Sequence, residues 1–333
     1  MLVGVDARAL AARRGVARYT RRMLEALAVL DGVEVRGLVP GRDPVEPVPG
    51  MQLRRTAQPS RVLFGAAALS GRPRLDALLG APDVTWLPAP APVAVGGPFV
   101  LTVHDLSWEE RPQDFTRYER AWHRLARPRS LARRAAAVIC DAPAVAAQVG
   151  ERWGVAVQVV EPGVDQLALT EGAAAAARSN PYILFVGALE PRKGLDVLAA
   201  AWPRAGLDGV ELVIAGEGRE TVAGATQLGH VTDAELHALY AGALAVVLPS
   251  RLEGYGLPPR EAAVHGTPSI VSDLPTLQLP GTLRVPPGDA EALADALRRL
   301  PAERARLVAE LPPPRTWTAA ATELRAVLQA CAR

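Results

Sequence analysis

Cysteine and long apolar runs are both scarce in this sequence. Only Cys140 and Cys331 occur among its 333 residues, and their separation matches no metal-binding or redox motif. No apolar run reaches the ~18 residues of a transmembrane helix. The N-terminus also lacks the basic region and cleavage site of a signal peptide. These absences argue against a secreted or membrane-spanning protein and predict a cytoplasmic location.

Signatures of several enzyme classes are missing as well. The sequence has no Asp-x-Asp pair that would hold a metal ion, and no Gly-x-Ser-x-Gly turn that would present a nucleophilic serine. Gly216-Glu-Gly218 lacks the third glycine of the dinucleotide-binding motif. The net charge of +2 gives no argument for nucleic-acid binding. Length and composition instead fit a globular chain with two domains of ordinary size.

The most informative stretch is Ser250–Glu261, which reads SRLEGYGLPPRE. It follows a short apolar run that predicts a strand, and it precedes residues that predict a helix. Gly254 and Gly256 would free backbone N–H groups, and a helix start favours negative charge. Glu253 and Glu261 must instead accept hydrogen bonds. A nucleotide sugar would satisfy the N–H groups with its phosphates and the glutamates with its hydroxyls. The alternative is an ordinary turn with two solvated glutamates.

The N-terminal half begins with a strand–helix–strand pattern. Residues 2–5 predict a strand, residues 16–30 an amphipathic helix, and residues 33–39 a second strand. This order indicates a doubly wound parallel sheet, in which ligands bind beyond the carboxyl ends of the strands. Gly15 lies at that end of the first strand. Residues 40–60 are rich in proline and glycine and predict a loop.

A histidine and an aspartate follow another predicted strand of this half. The apolar run 99–103 ends in His104-Asp105. Such a pair is either a hydrogen-bonded structural pair or part of a catalytic site. The position at a strand end is the argument for the catalytic alternative.

Arginines crowd residues 115–134, where they alternate with apolar side chains. One interpretation is a patch that contacts anionic lipid or a phosphorylated acceptor. The other is a solvated helix surface. Pro128 interrupts any long helix across this stretch.

The C-terminal half repeats the strand–helix alternation. Arg192 and Lys193 lie between a predicted strand, 182–186, and the helix that follows it. If the strands are parallel, these cations share an edge of the sheet with the glycine loop of Ser250–Glu261. Two cations beside exposed amides would neutralise a diphosphate leaving group without a metal ion. We expect Lys193 to lie on an exposed loop.

Taken together, these segments resemble glycosyltransferase family 4, whose members have the GT-B fold. The matching segments are Gly15–Tyr19, Thr102–Asp105, Pro162–Asp165, Val186–Gly194, Pro249–Glu261, Gly266–Pro268 and Pro287–Asp289. The resemblance implies an α/β protein with two Rossmann-like domains facing an interdomain cleft. Residues 1–170 would form the acceptor-side domain and residues 171–333 the donor-binding domain. The last helix, at about 316–330, would cross back to pack on the N-terminal domain.

The resemblance also assigns roles by position. Glu253 would bind hydroxyls of the donor sugar, Glu261 the ribose, and Arg192 with Lys193 the diphosphate. The implied catalytic residues are His104, Arg192, Lys193 and Glu253. The implied donor-binding residues are Gly15, Gly187, Gly254, Tyr255, Gly256, Leu257 and Glu261.

The implied reaction is a retaining, metal-independent transfer of a hexose, with mannose favoured, from a nucleotide diphosphate sugar to a hydroxyl acceptor. That acceptor could be a glycan, a lipid-linked molecule or a small molecule, and no cofactor or nucleic acid is expected. The basic residues Arg117–Arg134 would allow peripheral contact with the inner face of a membrane. Two alternatives remain open: an epimerase of sugar nucleotides, and a sugar-nucleotide-binding protein without catalysis.

Overall fold

A computed structural model describes residues 1–11, 15–42, 44–164 and 178–333. These residues divide into two compact units. Unit 1 comprises Met1–Gly163 with Thr316–Arg333, and unit 2 comprises Val164–Arg315. The domain boundary predicted at residue 170 lies outside the described residues and stays a prediction.

Unit 1 is built on a seven-stranded sheet. Its strands, β1–β7 in chain order, are Leu2–Asp6, Glu34–Pro40, Met51–Thr56, Val84–Leu87, Phe99–Val103, Ala137–Cys140 and Val157–Val159. Their spatial order is β3-β2-β1-β4-β5-β6-β7, and every neighbouring pair is parallel. The central strands are apolar because helices cover both faces of such a sheet. Its carboxyl ends therefore meet at one edge.

Seven helices of unit 1 connect these strands in the described chain. Helices α1–α7 are Gly15–Ala28, Ser60–Ser70, Leu75–Leu78, Ser107–Glu110, Arg117–Ala126, Pro128–Arg134 and Pro143–Trp153. Helix α1 begins one residue before the predicted helix and ends two residues earlier. The prediction of a loop over residues 40–60 is wrong, because β3 and the start of α2 lie there. Strand β3 forms the sheet edge with Gln52–Arg55 exposed, which removes the apolar pattern of a buried strand.

Unit 2 repeats this architecture with six strands. Strands β8–β13 are Tyr182–Val186, Glu211–Ala215, Thr226–Gly229, Ala245–Leu248, Ser269–Ser272 and Thr282–Val285. They are all parallel, in the order β10-β9-β8-β11-β12-β13. Helices α8–α11 are Leu195–Ala205, Asp233–Gly242, Leu257–Val264 and Ala290–Ala309. Alternate residues of β8 enter separate cores, as expected for a sheet covered on both faces.

The last helix, α12 (Trp317–Cys331), returns to unit 1. Its buried residues Leu324 and Leu328 join the core that contains β1 and α1. A Cβ at Gly163 would lie 2.2 Å from the backbone nitrogen of Trp317, so the chain can pass here only as glycine. The predicted crossing of the C-terminal helix to the N-terminal domain is confirmed, as is the doubly wound α/β fold.

Candidate functional site

In unit 2, the loops after the neighbouring strands β8 and β11 contact each other. The N–H of Arg251 donates to the carbonyl oxygen of Arg192 at 2.8 Å. Gly194 has a left-handed backbone with φ 68°, and a Cβ there would lie 2.1 Å from the carbonyl oxygen of Pro249. Glycine therefore permits the close approach, which holds Lys193 beside the loop of Glu253.

Lys193 and Glu253 form an ion pair. Nζ of Lys193 donates to Oε1 of Glu253 at 2.5 Å, although the two residues are 60 positions apart. Oγ of Ser250 donates to the same oxygen at 2.7 Å. Oγ1 of Thr276 donates to the backbone oxygen of Glu253 at 2.9 Å. Two donors thus orient the carboxylate, and a third holds its backbone.

The expectation that Lys193 lies on an exposed loop is wrong, since only 8% of the residue is exposed. Lys193 is the last residue of a short 3-10 helix, Pro191–Lys193, which Gly194 caps. An ammonium loses its hydration on burial, and a paired carboxylate offsets that cost. Removing either partner would leave the other, largely buried charge without its ion pair.

The second predicted cation contacts a different carboxylate. Nε of Arg192 donates to Oε2 of Glu190 at 3.1 Å. The adjacent Arg251 instead donates to both carboxylate oxygens of Asp196 at 2.6 Å. This hydrogen bonding to Arg251 holds the pKa of Asp196 below its usual value. Arg251 therefore clamps the loop to the start of α8, while Arg192 and Lys193 each have a separate acidic partner.

The glycine loop leads directly into α10. Gly256 has φ 76° and precedes the first helical residue, Leu257. A Cβ at Gly256 would lie 2.3 Å from a methyl carbon of Leu277. Positions 258 and 259 are prolines without N–H groups, so the predicted anion contacts at this helix start are limited to the amides of Gly254–Leu257. The guanidinium of Arg260 lies 3.9 Å above the ring of Tyr255, which is buried.

Glu261 lies in the next turn of α10 and is only 6% exposed. The hydroxyl of Tyr240, on α9, donates to its Oε2 at 2.7 Å. The His265 ring stacks on the Tyr240 ring, and its Nε2 lies 2.6 Å from Nδ1 of His237. Burial lowers the pKa of His265, although the nearby Glu261 opposes this shift. The Tyr240 hydroxyl thus orients the carboxylate of Glu261, and the His265 ring packs on the tyrosine.

Gly187 follows β8 and has a packing role. Its N–H donates to the carbonyl oxygen of Ala215 at 3.0 Å. A Cβ on Gly216, which follows β9, would lie 1.9 Å from the carbonyl oxygen of Gly187. The two strand ends therefore touch through glycine backbones. A contact between Gly187 and a donor stays a prediction.

In unit 1, His104 follows β5 and is paired with a residue that the sequence analysis missed. Its Nδ1 lies 2.6 Å from Oδ2 of Asp141, which follows the neighbouring strand β6. The alternative of a hydrogen-bonded pair between His104 and Asp105 is wrong, and the catalytic role of His104 stays a prediction. Oδ1 of Asp105 accepts from the N–H and hydroxyl of Ser107 at 2.8 and 2.6 Å, so Asp105 holds the turn into α4.

The surroundings of His104 are aromatic. The ring of Tyr19, on α1, meets the imidazole edge-on with centroids 4.7 Å apart. Burial alone would lower the pKa of His104, but the carboxylate of Asp141 outweighs it and keeps this pKa above its usual value. The pair therefore favours the protonated imidazole more than burial alone would.

Gly15 is the first residue of α1, one turn before Tyr19. It is exposed, and a Cβ there would contact no atom within 4 Å. Local packing thus does not require glycine at this position. The implied contact between Gly15 and the donor stays a prediction.

The predicted site residues divide between the two units. Unit 2 contains Arg192, Lys193, Glu253, Glu261, Gly187 and the loop Gly254–Leu257, whereas unit 1 contains Gly15 and His104. The sequence analysis missed Asp141 and Tyr240. Asp141 carries the same signal as His104, a polar residue directly after an apolar strand. Tyr240 is a buried phenol, which needs a hydrogen-bond partner.

The basic stretch forms two helices, and the predicted interruption at Pro128 is confirmed. Helix α5 ends at Ala126, the next residue, Arg127, has φ 48°, and Pro128 begins α6. No described helix combines the length and apolarity needed to cross a bilayer. Nor do three His, Cys, Asp or Glu side chains in the described ranges group so as to hold a metal ion.

Comparisons with known proteins match both halves of the chain. The Glycosyltransferase Family 4 model matches residues 13–166, and the model for Glycosyl transferases group 1 matches residues 180–303. Glycogen synthase from Mycobacterium tuberculosis is 38% identical over 133 residues, which cover 35% of this chain and 32% of that protein. The O-antigen chain mannosyltransferase RfbU from Salmonella typhimurium is 41% identical over 78 residues, 22% of each protein. The similarity spans about a third or less of these relatives.

The fold is similar over nearly its full length to a solved structure. Sucrose-phosphate synthase from Thermosynechococcus elongatus superposes with a TM-score of 0.74, covering 99% of this chain and 98% of that one. The sequences are 20% identical, so this similarity concerns the fold.

Proposed function

Because the chain belongs to glycosyltransferase family 4 and has the GT-B fold, we propose that it transfers a hexose from a nucleotide diphosphate sugar to a hydroxyl acceptor. The proposed transfer is retaining and uses no metal ion. The observation that carries the proposal is the Lys193–Glu253 pair, a cation and a hydrogen-bond acceptor side by side at the strand ends. A donor offers a diphosphate to the first and sugar hydroxyls to the second.

Mannose is the hexose that we propose. The support is the similarity to a protein named as a mannosyltransferase, together with the family resemblance of the segments Gly15–Tyr19 and Ser250–Glu261. The proposal concerns the sugar only, and the nucleotide base is left to experiment. We place the ribose at Glu261, because Tyr240 occupies one carboxylate oxygen and orients the group.

In the proposed reaction, the bond between the anomeric carbon and the diphosphate oxygen breaks as the acceptor oxygen attacks the same face. The acceptor proton passes to the leaving phosphate oxygen. Negative charge grows on the diphosphate, and we assign its stabilisation to Lys193, Arg192 and the amides of Gly254–Leu257. Because Arg192 and Lys193 each contact a carboxylate, we expect the diphosphate to compete with Glu190 and Glu253 for these cations.

His104 has a separate part in the proposal. Asp141 orients the imidazole through Nδ1, and we assign the other ring nitrogen to a hydrogen bond with a hydroxyl of the donor sugar near the reacting carbon. Asp141 is a positioning residue, since it acts through the imidazole. The aromatic edge of Tyr19 limits the rotation of that ring.

A panel of nucleotide sugars tests the function. The protein is incubated with GDP-mannose, UDP-glucose and related donors, with EDTA and without, and products are followed by NMR. We expect slow hydrolysis or transfer for one donor, an unchanged anomeric configuration in the product, and no effect of EDTA. Interconversion of sugar nucleotides would identify an epimerase, and binding without turnover a silent binder. Loss of turnover on chelation, restored by manganese, contradicts the metal-independent mechanism.

A further inference from the structure

Positive charge is concentrated in one small part of unit 1. Helix α2 and the segment Arg117–Arg134 together contain eight arginines and one acidic residue, Glu119, whereas the whole chain has a surplus of only two positive charges. The rest of the chain is therefore net negative. All eight arginines are exposed: Arg61, Arg117, Arg120, Arg124, Arg127, Arg129, Arg133 and Arg134. Such asymmetry creates a local field that attracts anionic surfaces.

Helices α2 and α5 form one continuous surface. The rings of Phe64 and Trp122 meet edge-on beneath it, with centroids 6.0 Å apart. Above them, the guanidinium of Arg61 lies 4.8 Å from the ring centre of Tyr118. The two helices thus carry their exposed side chains as a unit, which we call the α2–α5 surface.

The same surface exposes large apolar side chains. On α2, Val62 is 57% and Leu69 is 83% exposed, and their spacing of seven residues places them on one side of the helix. Tyr118, at 51% exposed, adds an aromatic ring from α5. Arg117, Arg120 and Arg124 follow at helical spacing. Exposed apolar side chains on the same two helices as exposed arginines match the acyl boundary and the headgroups of an anionic bilayer.

We propose that the α2–α5 surface binds the face of an anionic lipid bilayer peripherally, with the arginines on headgroup phosphates and with Val62 and Leu69 inserted beside them. A nucleic acid would use the arginines but would leave these apolar side chains in water. Arg129, which is bound to both carboxylate oxygens of Glu109, contributes less than the other arginines. The proposal goes beyond the transferase function, because it predicts binding in the absence of any sugar donor.

Co-sedimentation with vesicles tests the proposal. We expect the full chain to bind vesicles of phosphatidylcholine with phosphatidylglycerol, and to bind pure phosphatidylcholine far more weakly. Arg117→Gln/Arg120→Gln/Arg124→Gln is expected to lower partitioning roughly 100-fold, since each arginine near an anionic surface adds a similar increment to the binding free energy. Val62→Ser/Leu69→Ser is expected to lower it about tenfold.

A matched control removes the same charge elsewhere. Arg298, Arg299 and Arg306 are exposed on α11, and changing all three to glutamine is expected to leave vesicle binding unchanged. Thermal unfolding of each variant verifies that it folds. Equal binding to neutral vesicles, full binding by the α5 triple variant, or retention on a single-stranded oligonucleotide without binding to anionic vesicles would each overturn the proposal.

Discussion

Each unit contains one close contact between a basic side chain and a carboxylate, and the two contacts differ in their proposed roles. In unit 2, Lys193 donates to Glu253 at 2.5 Å, and both side chains have proposed ligands of their own. In unit 1, His104 lies 2.6 Å from Asp141, and only the histidine has a proposed ligand. We therefore expect donor binding to weaken the first pair and to leave the second intact.

This difference predicts that the two carboxylates act in opposite ways. Glu253 is expected to compete with the diphosphate for Lys193 until sugar hydroxyls bind the carboxylate. Asp141 is expected to orient His104 and to favour its protonated form. Variants that remove each partner in turn can break this comparison.

The largest effect is expected for Lys193→Ala. Loss of one charge contact made in the transition state lowers turnover by roughly 10²–10³-fold. Because Glu253 would then be buried without its cation, we also expect a loss of unfolding free energy of about 3–5 kcal/mol. Steady-state kinetics and chemical denaturation measure the two effects.

The control for Lys193 is a double variant, Lys193→Met/Glu253→Gln. Replacing both charges removes the unpaired carboxylate, so stability is expected to recover while turnover stays low. A Lys193→Ala protein with wild-type turnover would falsify the proposed role of this lysine.

A smaller effect on rate is expected for Asp141→Asn. The imidazole loses the carboxylate that keeps its pKa raised, and its weakened hydrogen bond costs about 1.5 kcal/mol, or roughly tenfold in kcat. The fall in activity with rising pH is expected to move to lower pH. If Asp141→Asn kept the wild-type kcat and an unshifted pH profile, Asp141 would have no positioning role.

The same pair links stability to pH. Since the folded-state pKa of His104 is raised, its stabilisation is complete below the unfolded value of about 6.5 and is lost as pH rises through the folded value. Asp141→Asn is expected to remove this part of the pH dependence, which melting curves at several pH values would measure.

Glu253→Gln offers the reverse outcome for unit 2. With the competing charge removed, we expect a nucleoside diphosphate without sugar to bind about tenfold more tightly, a gain of about 1.4 kcal/mol. Turnover falls, because the glutamine is a poorer acceptor for sugar hydroxyls. Calorimetry with GDP and UDP measures the gain, and Asp196→Asn is the control, since Asp196 binds Arg251 rather than Lys193. Weaker diphosphate binding by Glu253→Gln would argue against competition.

The sequence predicts the central strands of both sheets but not three edge strands. Strands β1, β5, β8 and β11 are apolar runs because helices cover both of their faces. Strands β3, β10 and β13 lie at sheet edges, and their sequences, MQLRRT, TQLG and TLRV, alternate or are polar. Each of them pairs with the strand that precedes it in the chain, and this tertiary contact leaves no apolar pattern in the edge strand itself.

The candidate sites show the same limit. Lys193 and Glu253 are predicted from their motifs, yet their contact is not, because it depends on how two loops 60 residues apart meet. Asp141 was overlooked beside the more conspicuous Asp105, although both follow strands. Local sequence reveals which residues carry chemistry, and tertiary packing decides which of them become partners.

The smallest effect is expected for Tyr240→Phe, which removes the hydroxyl that donates to Glu261 and keeps the ring. The carboxylate remains in place but loses one bond that orients it, which costs about 1 kcal/mol and weakens nucleotide binding about fivefold. Because Tyr240 is a positioning residue for the ribose contact, KM for the donor is expected to rise while kcat at saturation stays unchanged. Glu261→Ala is expected to weaken binding further, and Tyr240→Phe is expected to add nothing in that background. An additive loss in the double variant would mean that the tyrosine supports the fold independently of Glu261.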